Sequence, residues 1–363
     1  MVKTLRKQIY DEVVDSFEKT YSFLGKQFAE EMLLTFASYN IQSFSNAPFR
    51  LRRHLMLCWG HSWIKTSLLT KAYEILGRNL CTYMSDISNA ALRGTVDSGQ
   101  FSVPYTLERP FAVCTEFGQL VSGGKDTELV QKLLNVLEEG MVEVSLGKIA
   151  FLSDSEREKA VHDWGVYFSS RNKFSYKTNW ILMAATYDKK FLIDNALLSR
   201  FNVLYPKQPL DNKLTKHIMN SGGFKLNEEV KQKLREELIK DKPIETQIKL
   251  PQEIYELGET ITPRDCSSLA SYILCRSWWN VGTSKDEIIQ MAKEIVDSRD
   301  NVLKTADDKV FEAIEAEDKT AQDIAKETGY TSRQVYYSLK NIRAMPTLKY
   351  DEEGNPKRVW GMR

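Results

Sequence analysis

From Leu5 to Phe36 the apolar residues Tyr10, Val14, Phe17, Tyr21, Leu24 and Phe28 recur four and three apart, which is one face of a helix. Lys7, Glu12, Asp15, Glu18 and Lys26 take the other faces. The spacing fits either a coiled-coil seam or a stripe packed on its own domain; a bulky aromatic stripe over so few heptads favours the second. Asn40–Arg53 reads as a polar connector. Short continuous apolar runs follow: Leu55–Cys58, Leu80–Tyr83, Pro110–Cys114 and Trp180–Ala185, with a shorter strand at Asn202–Tyr205. Such runs are what strands covered on both faces look like. Helical patterns separate them, at about Lys65–Leu76, at Glu128–Leu137 and around Ala196–Leu198. The alternation predicts an α/β fold with a parallel sheet flanked by helices.

Two stretches interrupt it. Ser85–Pro104 carries the Gly and Ser turn residues of a loop or hairpin inserted between core elements. Gly140–Ile149 alternates like a strand and runs into a turn at Gly147-Lys148. Ala150–Lys177 is polar and mixed, with bases at Arg171, Lys173 and Lys177. From Pro209 to about Ser298 the pattern is helical with Lys/Glu-rich faces, and Thr262-Pro263-Arg264 makes a helix start.

The chain from Lys304 onward reads as a separate unit. Helices are predicted at Asp307–Ala316, Thr320–Glu327 and Ser332–Ala344, with Gly329 marking the turn between the last two. A hairpin, Thr347–Tyr350 with Arg358–Gly361, follows. This is the order of a winged helix-turn-helix. Over Thr331–Arg363 the bases (Arg333, Lys340, Arg343, Lys349, Lys357, Arg358, Arg363) outnumber the acids (Asp351, Glu352, Glu353) by seven to three. That is a local basic surface suited to a DNA backbone. The predicted divisions are an N-terminal segment 1–53, an α/β core 54–208, a helical lid 209–303 and a winged helix 304–363.

Candidate chemistry sits at the ends of the strands. In Leu55–Leu69 (LMLCWGHSWIKTSLL) an apolar run breaks at Trp59-Gly60, and Lys65-Thr66 opens a helix. That is the layout of a phosphate-binding loop, in which backbone N–H groups and a helix N-terminus cradle a polyphosphate. Ile64 stands where the second glycine of the pattern belongs. The first glycine is either replaced by Trp59 or is Gly60, with the loop one residue shorter. PFAVCTE (Pro110–Glu116) ends an apolar strand on Thr115-Glu116, at the edge where nucleotide hydrolases place metal and water chemistry.

Composition changes this picture little. The 363 residues carry a net charge of +1, with 42% hydrophobic and 27% charged residues, so any nucleic-acid surface must be local. The five cysteines and four histidines are scattered without metal-ligand spacing, which argues against a zinc site and for a reducing compartment. No apolar run approaches the roughly 20 residues that span a bilayer. The expectation is a cytoplasmic protein with no membrane partner.

The order of these motifs resembles the AAA+ ATPases, and within them the ATPase module of minichromosome maintenance (MCM) helicases. That family has alanine where most phosphate loops have the second glycine, the position of Ile64. Its acidic strand ends in Asp-Glu-Phe, where this chain has Thr115-Glu116-Phe117. Asn89–Phe101 (NAALRGTVDSGQF) is similar to the family's helix-2 insert, and Leu133–Ile149 (LLNVLEEGMVEVSLGKI) to its lysine-tipped pre-sensor hairpin. Ala196–Phe201 (ALLSRF) resembles the arginine-finger segment and Ile261–Asp265 (ITPRD) the sensor 2 helix.

The resemblance covers about Leu55–Ile273 and implies a ring, commonly a hexamer, that binds ATP and Mg²⁺ between subunits and acts on DNA as a helicase or translocase. It looks like a reduced relative, such as a plasmid or virus would encode, without the large N-terminal DNA-binding domain and with replication proteins as further partners. Gly60, Lys65, Thr66 and Ser67 would hold the nucleotide, Thr66 and Thr115 the metal. Glu116 would activate water, helped by Thr186 at the sensor 1 position. Arg200 would act from the neighbouring subunit, and Arg264 would sense the γ-phosphate. Lys148 would contact DNA in the channel, and Arg333, Lys340, Arg343 and Lys357 would dock it outside. Two rivals remain open: an initiator or scaffold that binds nucleotide but barely hydrolyses it, and a winged-helix transcription regulator.

Overall fold

The computed structural model describes residues 4–44, 51–59, 63–84, 92, 94–97, 100–117, 127–145, 147–186, 200–206, 212–240, 263–293, 310–311, 313–314, 319–328, 332–342, 344–350 and 356–361. The chain divides into two compact units, Met1–Ala292 and Lys293–Arg363.

The first unit is built on a five-stranded parallel sheet. In chain order its strands are β1 (His54–Cys58), β2 (Cys81–Met84), then β5 (Phe111–Cys114), β9 (Ile181–Thr186) and β10 (Phe201–Leu204). Two short strands, β3 (Thr95–Asp97) and β4 (Gln100–Ser102), fall between β2 and β5. Three more, β6 (Met141–Ser145), β7 (Tyr167–Ser170) and β8 (Lys173–Lys177), fall between β5 and β9. Across the sheet the order is β10-β1-β9-β5-β2, so β9 lies between β1 and β5. The strands of the middle, HLMLC, FAVC and ILMAAT, are buried at every position. Their apolar runs are thus explained by cover on both faces. His54 sits among them. Its Nδ1 accepts from the Leu182 N–H (3.0 Å) and its Nε2 donates to the Leu137 carbonyl (3.1 Å), a satisfied core histidine.

One face of the sheet, set by period two, presents Leu55, Leu57, Phe111, Val113, Met183 and Ala185 to a single core. Over it pack α1 (Leu5–Phe44), α2 (Trp63–Leu76) and three later helices, α5 (Asn212–Asn220), α6 (Glu228–Ile239) and α7 (Pro263–Trp278), numbered after α3 (Thr127–Glu138) and α4 (Asp154–Trp164). The N-terminal apolar stripe is therefore spent on its own unit. Arg6 pairs with Glu237 at 2.9 Å, and Trp279 Nε1 donates to the Leu33 carbonyl at 2.7 Å, fixing α1 to α6 and α7.

The N-terminal helix differs from the single rod its spacing predicts. Ser22 adopts φ 56°, ψ −143°, and the chain folds back there. Phe17 and Phe28 meet edge to face with ring centroids 5.3 Å apart, whereas eleven residues of straight helix would separate them by about 16 Å. The limbs approach so closely that a Cβ on Gly25 would lie 2.1 Å from the Phe17 carbonyl oxygen. Only glycine fits there. The expected polar connector is also structured in part: α1 runs through Asn40, and Arg52 and Arg53 are buried. Arg52 donates to the carbonyls of Val136 (3.3 Å), Glu138 (2.9 Å) and Thr178 (3.0 Å), closing the C-terminus of α3. Burial pulls its pKa down to about 10. Gly140, at φ +65°, lets the Thr178 carbonyl pass within 2.3 Å of where a Cβ would stand.

Both predicted insertions are β structure. β3 and β4 form an antiparallel hairpin within Ser85–Pro104. The second requires a correction. The strand β6 does not turn back at Gly147-Lys148; a 3-10 helix, Gly147–Phe151, and then α4 follow it. β6 pairs instead with β8, and the hairpin turn of this three-stranded sheet, ordered β6-β8-β7, is Arg171-Asn172. Lys148 is exposed on the 3-10 helix, not at a hairpin tip. Because Ser145 pairs with Lys173, it still shares one end of that sheet with Arg171. Arg157 binds the two together by donating to the carbonyls of Ile149 (2.8 Å) and Arg171 (3.1 Å). The two insertions meet at Phe101 and Phe174, 5.3 Å apart edge to face.

The second unit contains β11 (Lys319–Thr320), α8 (Ala321–Thr328), α9 (Ser332–Asn341), β12 (Met345–Tyr350) and β13 (Pro356–Gly361). Its sheet order is β11-β13-β12, antiparallel throughout. Thr320 caps α8, accepting from the Asp323 N–H at 3.2 Å. Val310, Ile314, Ile324, Val335 and Leu339 form its core.

Candidate functional site

The carboxyl ends of β1, β9 and β5 bring three of the sequence-predicted residues to one edge. Cys58, the last residue of β1, is in register with Thr186, the last of β9. Cys114, the last of β5, is in register with Ala184. Thr186 ends β9, while Glu116 lies in the turn two residues past the end of β5, so both stand at the carboxyl edge of neighbouring strands spaced about 4.8 Å apart. The β1 strand lies on the other side of Thr186. An open α/β sheet places its ligands in this kind of crevice, outside the carboxyl ends where the strand order reverses.

Lys65 enters from the first turn of α2. It is buried, and its Nζ donates to the Trp59 carbonyl at 2.5 Å, 5.5 Å from the centre of the Trp59 ring. The side chain thus folds back across the mouth of the segment that leaves β1. Gly60 lies outside the described residues. Desolvation lowers the Lys65 pKa to about 8, which an adjoining polyphosphate would reverse. Lys65 is thus not the exposed loop residue a phosphate-loop reading suggests. Thr66 next to it is exposed, while the Ser67 hydroxyl is engaged by Tyr21 Oη at 2.7 Å.

Thr186 is 2% exposed, and among the described residues neither its Oγ1 nor Trp59 Nε1 has a hydrogen-bond partner. Leaving such a group buried and unsatisfied costs about 1–3 kcal/mol. Thr115 and Glu116 are half-buried. Among the described residues no three His, Cys, Asp or Glu side chains gather to hold a metal. The two hydroxyls of Thr66 and Thr115 would suit a Mg²⁺ that keeps its waters and takes its remaining ligands from phosphate. The residues present therefore fit a Mg²⁺–nucleotide.

Arg200 is not at this edge. It precedes β10, whose first residue Phe201 is in register with His54, so it lies at the amino end of the sheet. There its guanidinium pairs with Glu138. Arg264 is the second residue of α7. In the second unit Arg333, Lys340 and Lys357 are exposed, and Arg343 lies outside the described residues. Sequence reasoning missed Tyr21, whose place in an apolar stripe hid its polar tip. It also missed Tyr336 and Tyr337, although two adjacent aromatics on one helix cannot both face its core.

No protein-family model matches the chain. No curated protein matches it either. Among the described residues, no helix is long and apolar enough to cross a membrane.

Proposed function

We propose that this chain is an ATPase of the AAA+ type, similar to the MCM helicase module, that works in the cytoplasm as a ring, most simply a hexamer, and acts on DNA. One observation carries the reading: β9 lies between β1 and β5, so the unsatisfied Thr186 hydroxyl sits between the strand leading to Lys65 and the strand leading to Glu116. A group that positions water against a γ-phosphate has to stand there. Phosphoryl transfer asks the protein mainly for positioning and charge. Lys65 donates to the β- and γ-phosphate oxygens, giving up its bond to the Trp59 carbonyl. Thr66, with Thr115 through a water, would hold Mg²⁺, which would supply the charge that neutralises the same oxygens. Glu116 orients the attacking water and takes its proton, and Thr186 holds that water in line. Arg200, remote from its own chain's site, serves a neighbour's, and Arg264 senses the nucleotide from the lid. Lys148 meets DNA in the channel, and the second unit, a winged helix, docks it outside.

A second reading is favoured by Thr115, which brings no charge where the family has aspartate. On it the chain binds nucleotide to assemble on DNA and hydrolyses it slowly. ATP turnover measured with and without DNA separates the two. Turnover that DNA stimulates and Glu116→Gln abolishes supports the motor; tight binding without turnover supports the scaffold.

A further inference from the structure

The helix α9 turns Val335, Ser338 and Leu339 into the core of the second unit. Its outer face carries Arg333, Tyr336, Tyr337 and Lys340, at i, i+3, i+4 and i+7. Two large rings are thus left in water on a helix whose core is already complete: Tyr336 is 49% exposed and Tyr337 60%. They are part of a larger array. The Arg333 guanidinium lies 5.9 Å from the centre of the Tyr337 ring, and that of Arg358 lies 5.0 Å from the Trp360 ring. Tyr336 meets Trp360 edge to face at 6.0 Å, which joins the helix to β13. The surface therefore alternates flat rings and guanidinium planes, with Lys340 exposed on the same helix face.

This chemistry distinguishes among nucleic-acid ligands. A helix that reads a duplex offers hydrogen-bonding side chains to base edges in the major groove. A purely electrostatic surface needs bases but no rings. Exposed aromatic planes interleaved with arginine fit unpaired bases, because every base has a face to stack and every linkage has a charge to neutralise. The acids of this stretch, Asp351, Glu352 and Glu353, are confined to the segment between β12 and β13. We propose that this face binds single-stranded nucleic acid, with bases stacked on Tyr337 and Tyr336 and phosphates held by Arg333, Lys340 and Arg358. The inference rests on the reading that the second unit meets nucleic acid, and names which form it takes.

The test uses the full chain without nucleotide and three ligands of equal length: an oligothymidylate, its abasic phosphodiester counterpart and a duplex. The intact protein is expected to prefer the oligothymidylate. Tyr336→Ala and Tyr337→Ala should each weaken that affinity about tenfold and leave abasic and duplex affinities unchanged. Tyr337→Phe keeps the ring and should bind as the unaltered chain does; it also guards against a loss caused by misfolding. Arg333→Ala should weaken all three ligands together. Equal affinity for abasic and base-bearing strands, or Tyr→Ala proteins that bind both unchanged, would leave DNA binding standing and overturn stacking. A preference for duplex that the tyrosine variants abolish would overturn the choice of strand. No binding to any of the three would overturn the nucleic-acid reading itself, and this inference with it.

Discussion

Tyr21 Oη lies 2.7 Å from Ser67 Oγ, across 46 residues of sequence. The bond ties the fold-back of the N-terminal helix to the helix that carries Lys65 and Thr66. Burial raises the Tyr21 pKa, and the bond to Ser67 works in the opposite direction. Tyr21→Phe should cost about 1 kcal/mol in urea unfolding, as one net hydrogen bond does. Tyr21→Ala should cost about 3–5 kcal/mol, because it also empties a packed aromatic site. Tyr21→Phe combined with Ser67→Ala should cost less than the sum of the two alone; simple additivity would show that the hydroxyls do not interact.

The fold-back has a direct test of its own. Gly25→Ala forces a methyl against the Phe17 carbonyl, and should destabilise the protein by about 1–3 kcal/mol in chemical denaturation. Gly282→Ala is the control, since a Cβ there meets nothing within 4 Å; it should stay within about 0.5 kcal/mol. Equal effects at both positions would contradict the close approach of the two limbs.

Lys65 gives a pH dependence whose sign is fixed. Its folded pKa is lowered from 10.5 to about 8. Nucleotide binds the charged form, so affinity should be flat below pH 8 and fall above it, by at most about tenfold per pH unit. The ligand-free protein should behave oppositely. Between pH 8 and 10.5 the unfolded chain holds the proton that the folded one has lost, so Lys65 contributes stability that rises across that window. Lys65→Met should remove both slopes, measured by titration calorimetry and by thermal unfolding.

Arg200 faces Glu138 in its own chain. If it serves a neighbour, Arg200→Ala should keep nucleotide affinity while turnover falls by about 10³-fold or more. Mixing Arg200→Ala with Glu116→Gln subunits should restore part of the turnover, at interfaces where both groups are intact. A turnover assay of the mixture that tracks the plain average of the two inactive proteins would contradict action in trans.

The sheet was legible because its strands are unbroken apolar runs, and burial on both faces is what such runs encode. The stripe of the N-terminal helix was legible as a buried face but not as two limbs. The four-and-three spacing continues through Ser22, and the one local sign of the reversal, Gly25, sits inside an otherwise unbroken helical pattern. Gly147 misled for the opposite reason: it is a turn signal that begins a 3-10 helix, while the real hairpin turn, Arg171-Asn172, carries neither glycine nor proline. At the site, residue types pointed to Lys65 and Glu116, but neither the burial of Lys65 nor the unsatisfied Thr186 hydroxyl follows from spacing. Lys65 folds back onto the Trp59 carbonyl, and the place of Thr186 between β1 and β5 is set by strand order, a long-range property. That Glu116 and Thr186 reach the same edge of the sheet likewise needed the strand order.

The most direct measurement of the central claim is Mg²⁺–ATP binding by titration calorimetry for the unaltered chain, Lys65→Ala and Thr186→Val. The unaltered chain should bind one nucleotide. Lys65→Ala should lose about 30-fold or more in affinity, the cost of removing a buried charge partner. Thr186→Val replaces an unsatisfied hydroxyl by a methyl, so it should bind nearly as well, unfold at higher temperature and turn over more slowly. Undiminished affinity in Lys65→Ala, or no binding by the unaltered chain, would contradict a nucleotide site at the carboxyl edge of this sheet.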